Sequence, residues 1–442
     1  MLKRVTAPKE VANIGIPIRD AAFPSPFASG LEYASPARGT WNIVHTGMLI
    51  PEAHEIFVCA ASCLRGVVLT AAELGAEHRF STVEVRENNL LDGDMEELVI
   101  EGVSDIIEKL PKRPPVVLVY TSCVHHFAGC DLDLIYDRLR QRYPDIDFVD
   151  CYMNPIMRKS GLTPDQLMRS RLYKPLKPRP IRPDAVAIIG NDLPTDHESD
   201  LYRFLCDSGL KIHEITACPD YETYQEMAES AFYISYYPSA VAGGNMLAER
   251  LGGKHIYLPL SFNTDKIESG LTDLARTLGV PAPDFTGQRE AVAAALRETL
   301  ELVGQKPIAI DYTYCAKPLG VARLLAEAGF NVRRIYVDAM IAEEKEDFLW
   351  LQENRPELEL YPTVHASMRF LAEREPSDFL ALGQKAAHFT NTNHFVNVVE
   401  GGGMHGYQAI LKTLELMREA FREEKDMRNL IQIKGMGCSG CI

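Results

Sequence analysis

The chain has 442 residues, with 46 Lys and Arg against 61 Asp and Glu, a formal charge of −15, and 10 cysteines among 46% hydrophobic residues. That is enough apolar material for two to three domains. It is too few cysteines for a disulfide scaffold, and the charge has the wrong sign for a nucleic-acid binder, whose phosphate contacts need a basic excess. No apolar run reaches bilayer length, and the opening stretch Met1–Pro8 lacks the apolar core of a signal peptide. The expectation is therefore a soluble, cytoplasmic, multidomain protein with neither a membrane nor a nucleic-acid partner, its cysteines kept as thiols.

Residues 1–40 are rich in Pro, Ala, Ser and Gly and carry no period. They read as an extended arm, either wrapped on a partner or poorly ordered. Apolar runs then alternate with helical periods. Glu55–Val58 is strand-like, Cys63–Leu74 helical, Val116–Tyr120 a continuous apolar run suited to a buried parallel strand, Leu132–Arg142 a helix, Phe148–Val149 part of a strand, and Met157–Leu172 amphipathic. Prolines 175, 178, 180 and 183 mark a linker. A second block has strands at 186–190, 211–215, 231–236 and 256–258, with helices at 197–208, 221–230, ending at 251, and at 266–278 and 289–303. A third opens on Pro307–Asp311, with strands at 332–337 and 379–382 and helices at 319–328, 345–354 and 409–422. Repeated strand–helix units with short loops predict an α/β protein of three Rossmann-like domains, each a parallel sheet flanked by helices. The expected boundaries are an arm over 1–40, domains over 41–180, 181–305 and 306–428, and a tail over 429–442.

Ligands of open parallel sheets bind at the carboxyl ends of strands, so reactive residues at those places carry weight. Cys59 ends the run Glu55–Cys59, Cys63 opens the next helix, where the positive helix end favours thiolate, and Cys123 ends Val116–Cys123. Thiolates at three such places in one domain suit an iron–sulfur cluster, whose ligands need only converge in space. Cysteine is also a common buried residue, but each of these three falls where a ligand would. Cys130, after His125 and His126, lies near the same region as a weaker candidate, the two histidines fitting a supporting or interface role. Cys151, Cys206, Cys218 and Cys315 follow no pattern, and Cys206, inside an amphipathic period, reads as core. Cys438 and Cys441 form a lone terminal CxxC, a frayed tail, a redox pair or half a metal site. In the third block, Gly401, Gly402 and Gly403 precede a helix and permit close backbone approach to an anionic ligand. His388, His394 and His405 stand beside them, able to ligate a metal or move protons. No Walker A pattern occurs.

The strand–Cys–helix around Cys63, the Tyr120-Thr121-Ser122-Cys123 strand end and the His405-Gly406-Tyr407 helix start resemble the nitrogenase component 1 superfamily, roughly over residues 40 to 425. That group includes both subunits of the molybdenum–iron protein, cofactor-assembly scaffolds, dark-operative protochlorophyllide reductase, Ni-sirohydrochlorin reductive cyclase and methylthio-alkane reductase. The resemblance implies that Cys63 and Cys123 are ligands of a cluster at a subunit interface. Where the family has a further ligand, Trp41–Pro51 holds His45 and no Cys. Either Cys59 substitutes, or His45 ligates, or the cluster is smaller, a [4Fe–4S] rather than a larger P-cluster-like centre. A catalytic subunit of the family holds a second complex cofactor through a Cys in its second domain and a His in its third. The matching second-domain stretch here, Ser235-Tyr236-Tyr237-Pro238, has no Cys, while His394 lies near the third-domain position and His405 fits a supporting place.

The resemblance therefore implies either a β-like partner subunit or a catalytic subunit with another cofactor anchor. The expected partners are a homologous subunit in an α2β2 assembly, an ATP-dependent nitrogenase-reductase-like iron protein and a small-molecule substrate. The expected activity is reductive cleavage of a small substrate, first the C–S bond of methylthio compounds. A tetrapyrrole reductase or reductive cyclase and a non-catalytic assembly scaffold are the alternatives.

Overall fold

The computed structural model describes residues 13–28, 30, 43–153, 162–371 and 377–432. The terminal Cys438 and Cys441, and the first part of the helix expected at Met157–Leu172, lie outside these. The chain divides into two compact units, one of residues 41–194 and 205–258, the other of residues 1–40, 195–204 and 259–442. Among the described residues the architecture is α/β, with parallel sheets flanked by helices.

The arm contributes a first short strand, β1 (Ile16–Pro17). The first unit then begins with β2 (His54–Cys59), β3 (Phe80–Glu84), β4 (Val116–Ser122) and β5 (Asp147–Met153), all parallel, in the order β3-β2-β4-β5. Every residue of β2 and β4 is buried, which is why their sequences read as continuous runs rather than alternating ones. The helix Met95–Lys109 lays Met95, Val99, Val103 and Ile107 against Val117 and Val119. Each such aliphatic side chain contributes about 1.5–3 kcal/mol when fully buried. β3 and this helix escaped the sequence reading, although the i, i+4, i+8 spacing of Met95, Val99 and Val103 is an ordinary helix signal. Helix Pro164–Arg171 starts where Thr163 and Gln166 form a capping box behind a first-turn proline.

The unit's second sheet comprises β6 (Arg182–Ile188), β7 (Lys211–Glu214), β8 (Ser230–Ser235) and β9 (Lys254–Tyr257), parallel, in the order β7-β6-β8-β9. Its strand order repeats that of the first sheet. One core joins the two, with Phe57, Tyr120 and Cys151 from the first sheet, Ala187 and Tyr233 from the second, and Met168 and Leu172 between.

The other unit holds β10 (Ile308–Asp311), β11 (Val332–Tyr336), β12 (Glu359–Tyr361), β13 (Leu380–Leu382) and β14 (Phe395–Val396) in the order β12-β11-β10-β13-β14, parallel, the doubly wound 3-2-1-4-5 arrangement. β1 adds antiparallel to β12. Ile18 is fully buried behind it, and Gln352 donates to the carbonyls of Ile18 at 3.1 Å and Ala21 at 3.3 Å. The described part of the arm thus covers the edge of the chain's own sheet, a common protection of an exposed strand. Cys206 is exposed rather than core, because it follows the fully buried Leu205 by one position and a helix turns its next residue away.

Candidate functional site

Each sheet has a place where the chain leaves its first strand outward on one side and returns on the other. The crevice at such a switch is where ligands of parallel sheets bind. In the first sheet the switch lies between β2 and β4, at Cys59 and Ser122-Cys123. Cys59 is buried and points to the same face as Glu55 and Phe57, the alternate residues of β2. Cys63 is the third residue of helix Ala61–Glu73 and is exposed, its amide bonded to the carbonyl of Ala60 at 2.9 Å. Cys123 opens helix Cys123–Ala128 and is half-buried. Burial first, and then the proximity of Cys63 and Cys123, pushes the Cys59 thiol up to about 12. Cys63 and Cys123 thus both lie near Cys59.

The residues beneath them are buried. The rings of Phe57 and Tyr120 stack 4.0 Å apart, and the Tyr120 hydroxyl lies 3.1 Å from the carbonyl of Ile43 and 3.3 Å from Glu55 Oε1. Glu55 is fully buried, and desolvation raises its carboxyl well above the usual range. His125 is also buried, its Nδ1 accepting the Ser122 amide at 3.2 Å, whereas His126 is exposed. Cys130 instead lines a hollow of about 510 Å³ with Leu90, Met95, Glu96, Val124 and Phe127. His45 sits half-buried in helix Ile43–Met48.

The second sheet switches between β6 and β8. There Ser235 Oγ stands 2.8 Å from His255 Nε2, and His255 Nδ1 stands 2.8 Å from Asn245 Oδ1. Arg169 forms a bidentate pair with Asp192 at 3.0 and 2.8 Å, both side chains about 95% buried, and Nη1 also bonds the Gly190 carbonyl at 2.5 Å.

The third sheet switches between β10 and β13, at Asp311 and Gly383. Asp311 accepts the amides of Thr313 and Ala386, each at 2.7 Å, and burial holds its carboxyl above the usual range. Lys385, 4% exposed, lies 5.1 Å over the Tyr312 ring. The glycine turn, with φ of 71°, 55° and 74° at Gly401, Gly402 and Gly403, approaches the chain's own backbone. The amide of Glu400 bonds Thr313 O at 2.7 Å, that of Gly401 bonds Tyr314 O at 2.6 Å and that of Gly402 bonds Val399 O at 3.1 Å. The helix Tyr407–Arg422 is capped by Asp200, whose carboxylate takes the amides of Tyr407 and Gln408. His405 is buried next to it. His394 precedes β14 and so stands at the amino end of the sheet, its Nδ1 2.8 Å from Ala420 O and its Nε2 3.9 Å from Glu424. The structure thus brings Cys59, Cys63 and Cys123 to one crevice and does not bring His394 to the carboxyl edge where the glycine turn lies. Lys385 and the Ser235–His255–Asn245 chain went unnoticed in the sequence, since neither forms a local pattern.

Residues 45–428 match the nitrogenase component 1 type oxidoreductases. The chain belongs to that family. Solved structures of similar fold include nitrogenase Cp1 at pH 6.5, with a TM-score of 0.64, 12% identity and coverage of 90% of this chain and 94% of that one. Nitrogenase Cp1 at pH 5 follows with a TM-score of 0.55, 11% identity and coverage of 89% and 90%. No curated protein matches the sequence. The chain is accordingly a nitrogenase-like oxidoreductase subunit, and among its described residues no helix is long and apolar enough to cross a membrane.

The donors present suit an iron–sulfur group. Among the described residues no three His, Cys, Asp or Glu side chains close on a single ion. A polynuclear cluster asks for something else, because each thiolate binds a different iron and the sulfurs stand correspondingly further apart. Three thiols stand around one crevice, one buried, one half-buried and one exposed, and thiolate is the donor such clusters take.

Proposed function

We propose that this chain is a subunit of a nitrogenase-like reductase in which Cys59, Cys63 and Cys123 hold an iron–sulfur cluster, a [4Fe–4S] by ligand number, at an interface with a homologous subunit. The observation that carries this is the placement of Cys59 at the end of β2, Cys63 in the first turn of the helix that follows and Cys123 just after β4, all at the switch point of the first sheet. When bound, the cluster supplies low-potential one-electron transfer. The chain's own contribution is to exclude water. The Phe57–Tyr120 stack and the buried Glu55 close the crevice from below. Among the described residues of helix Ala61–Glu73 only Val67 and Ala71 are buried, while Val68 is 43% exposed. A helix that buries one narrow stripe on its own domain and exposes mainly small and apolar residues, Arg65 apart, fits burial against a second subunit.

An ATP-dependent iron protein would deliver the electrons. The substrate class that fits this reading is a small methyl thioether: two electrons and two protons convert R–S–CH3 to R–H and methanethiol. Anaerobic purification followed by iron and acid-labile sulfide analysis tests the cluster. The wild-type chain is expected to carry both, and the Cys63→Ala/Cys123→Ala double variant neither. Wild type without iron, or a double variant with undiminished iron, refutes the ligand assignment. With the iron protein, ATP and a methyl thioether, methanethiol release is expected. Its absence beside reduction of a tetrapyrrole would replace the substrate class, and the absence of any turnover beside transfer of the cluster to an apo-acceptor would make the chain a scaffold.

A further inference from the structure

We infer that this chain is the electron-relay subunit of its assembly, and that the crevices of its second and third sheets, closed by the chain's own side chains, hold no second iron–sulfur cofactor. The inference rests on the proposed reading of the cysteine site and adds which chain of the assembly must carry the catalytic cofactor: another one.

The three sheets offer three switch-point crevices of similar topology, so their contents can be compared. The first presents three thiols that the fold does not otherwise use. The second is filled. Ser235 ends β8 at 0% exposure, and its hydroxyl is engaged. With Asn245 Oδ1 as acceptor, His255 Nδ1 carries the proton and Nε2 the lone pair, so Ser235 is the donor at 2.8 Å. The His255 ring is pressed against Gly244, where a Cβ would overlap it. Gly190, at the end of β6, packs on Ala240 just as closely. Between these strands the Arg169–Asp192 pair lies under the Tyr237 ring, with the guanidinium 5.8 Å from its centre. A neutral serine hydroxyl committed to a histidine is a poor iron ligand beside thiolate or imidazole.

The third crevice is stapled in the same manner. Asp311 spans from β10 to the helix that follows β13, and a Cβ at Gly383 would overlap its carboxylate. Cys315, the thiol of this edge, is 1% exposed and faces Gly401, whose Cβ position lies 3.8 Å from its own Cβ. Lys385, 4% exposed and over the Tyr312 ring, fills part of this edge with an amine, which is not among the usual iron ligands. His388 Nδ1 is buried without a partner, but it lies one helical turn beyond Lys385 and away from the carboxyl edge. His394 stands at the opposite end of the strands.

The test uses the tagged full chain isolated anaerobically from its host with whatever chains accompany it. Iron per complex and the electron paramagnetic resonance spectrum after dithionite reduction are compared among variants. Ser235→Cys, Ser235→Thr, His388→Gln and His394→Gln are expected to match wild type in both readouts, while Cys63→Ala/Cys123→Ala loses only the relay-cluster iron and its signal. Iron or a signal that survives the double variant and is lost or altered in a Ser235, His388 or His394 variant would overturn the inference and leave the cysteine reading standing. A wild-type complex in which the double variant removes no iron would overturn the cysteine reading, and the inference with it.

Discussion

Glu344 shows how a single side chain ties this fold to pH. It is 1% exposed, it accepts the Leu319 amide at 2.8 Å at the start of helix Pro318–Glu327, and burial pushes its carboxyl from 4.5 up to about 8. Because the folded value stands above the unfolded one, the folded chain holds a proton that the unfolded chain releases. Stability is therefore full below about pH 4.5 and falls as the pH rises towards about 8. The slope in that window is about 1.4 kcal/mol per pH unit from this group alone. Glu344→Gln keeps the acceptor and removes the titration, so urea unfolding at pH 5 and pH 8 should show a flatter dependence and a more stable variant at pH 8. A variant with an unchanged slope would show that Glu344 does not titrate there. The residue types of the cysteine site were legible in the sequence because Cys59, Cys63 and Cys123 abut strand ends that the apolar runs announce. The commitment of Ser235 to His255 was not, since the two are twenty positions apart and meet only across neighbouring strands.

At the scale of elements, Gly244 fixes how closely helix Val241–Leu251 approaches β9. Alanine there would gain about 1 kcal/mol of helix propensity, but its methyl would overlap a ring held by hydrogen bonds on both nitrogens. Overpacking of that kind costs typically about 1–3 kcal/mol. Gly244→Ala should therefore lower the thermal midpoint, and the same substitution at the exposed Gly66 of helix Ala61–Glu73, with nothing near its Cβ position, should not. Most helices and central strands were readable, helix Leu132–Arg142 to the residue, since period and burial agree in them. β12 and β14, of three and two residues, were not, because strands this short carry too few positions for a pattern to emerge.

At the scale of the whole molecule, assembly follows from helix Ala61–Glu73. Val68→Asp places a charge on its outer face, 43% exposed in the single chain. The variant is expected to fold with wild-type near-ultraviolet circular dichroism yet fail to form the complex with its homologous subunit in light scattering. A variant that assembles normally would remove this helix from the interface. The sequence by itself determined the α/β class, the alternation of strands and helices and the family, because these rest on local periodicity and on short motifs read in order. The tertiary structure alone decided that the amides of Glu400 and Gly401, at the start of the glycine turn, are spent on residues 313 and 314, that His394 stands at the amino end of its sheet, and that, among the described residues, three cysteines gather at the crevice of the first sheet. Strand order sets which ends become neighbours, and that order is written in contacts between residues far apart in the chain.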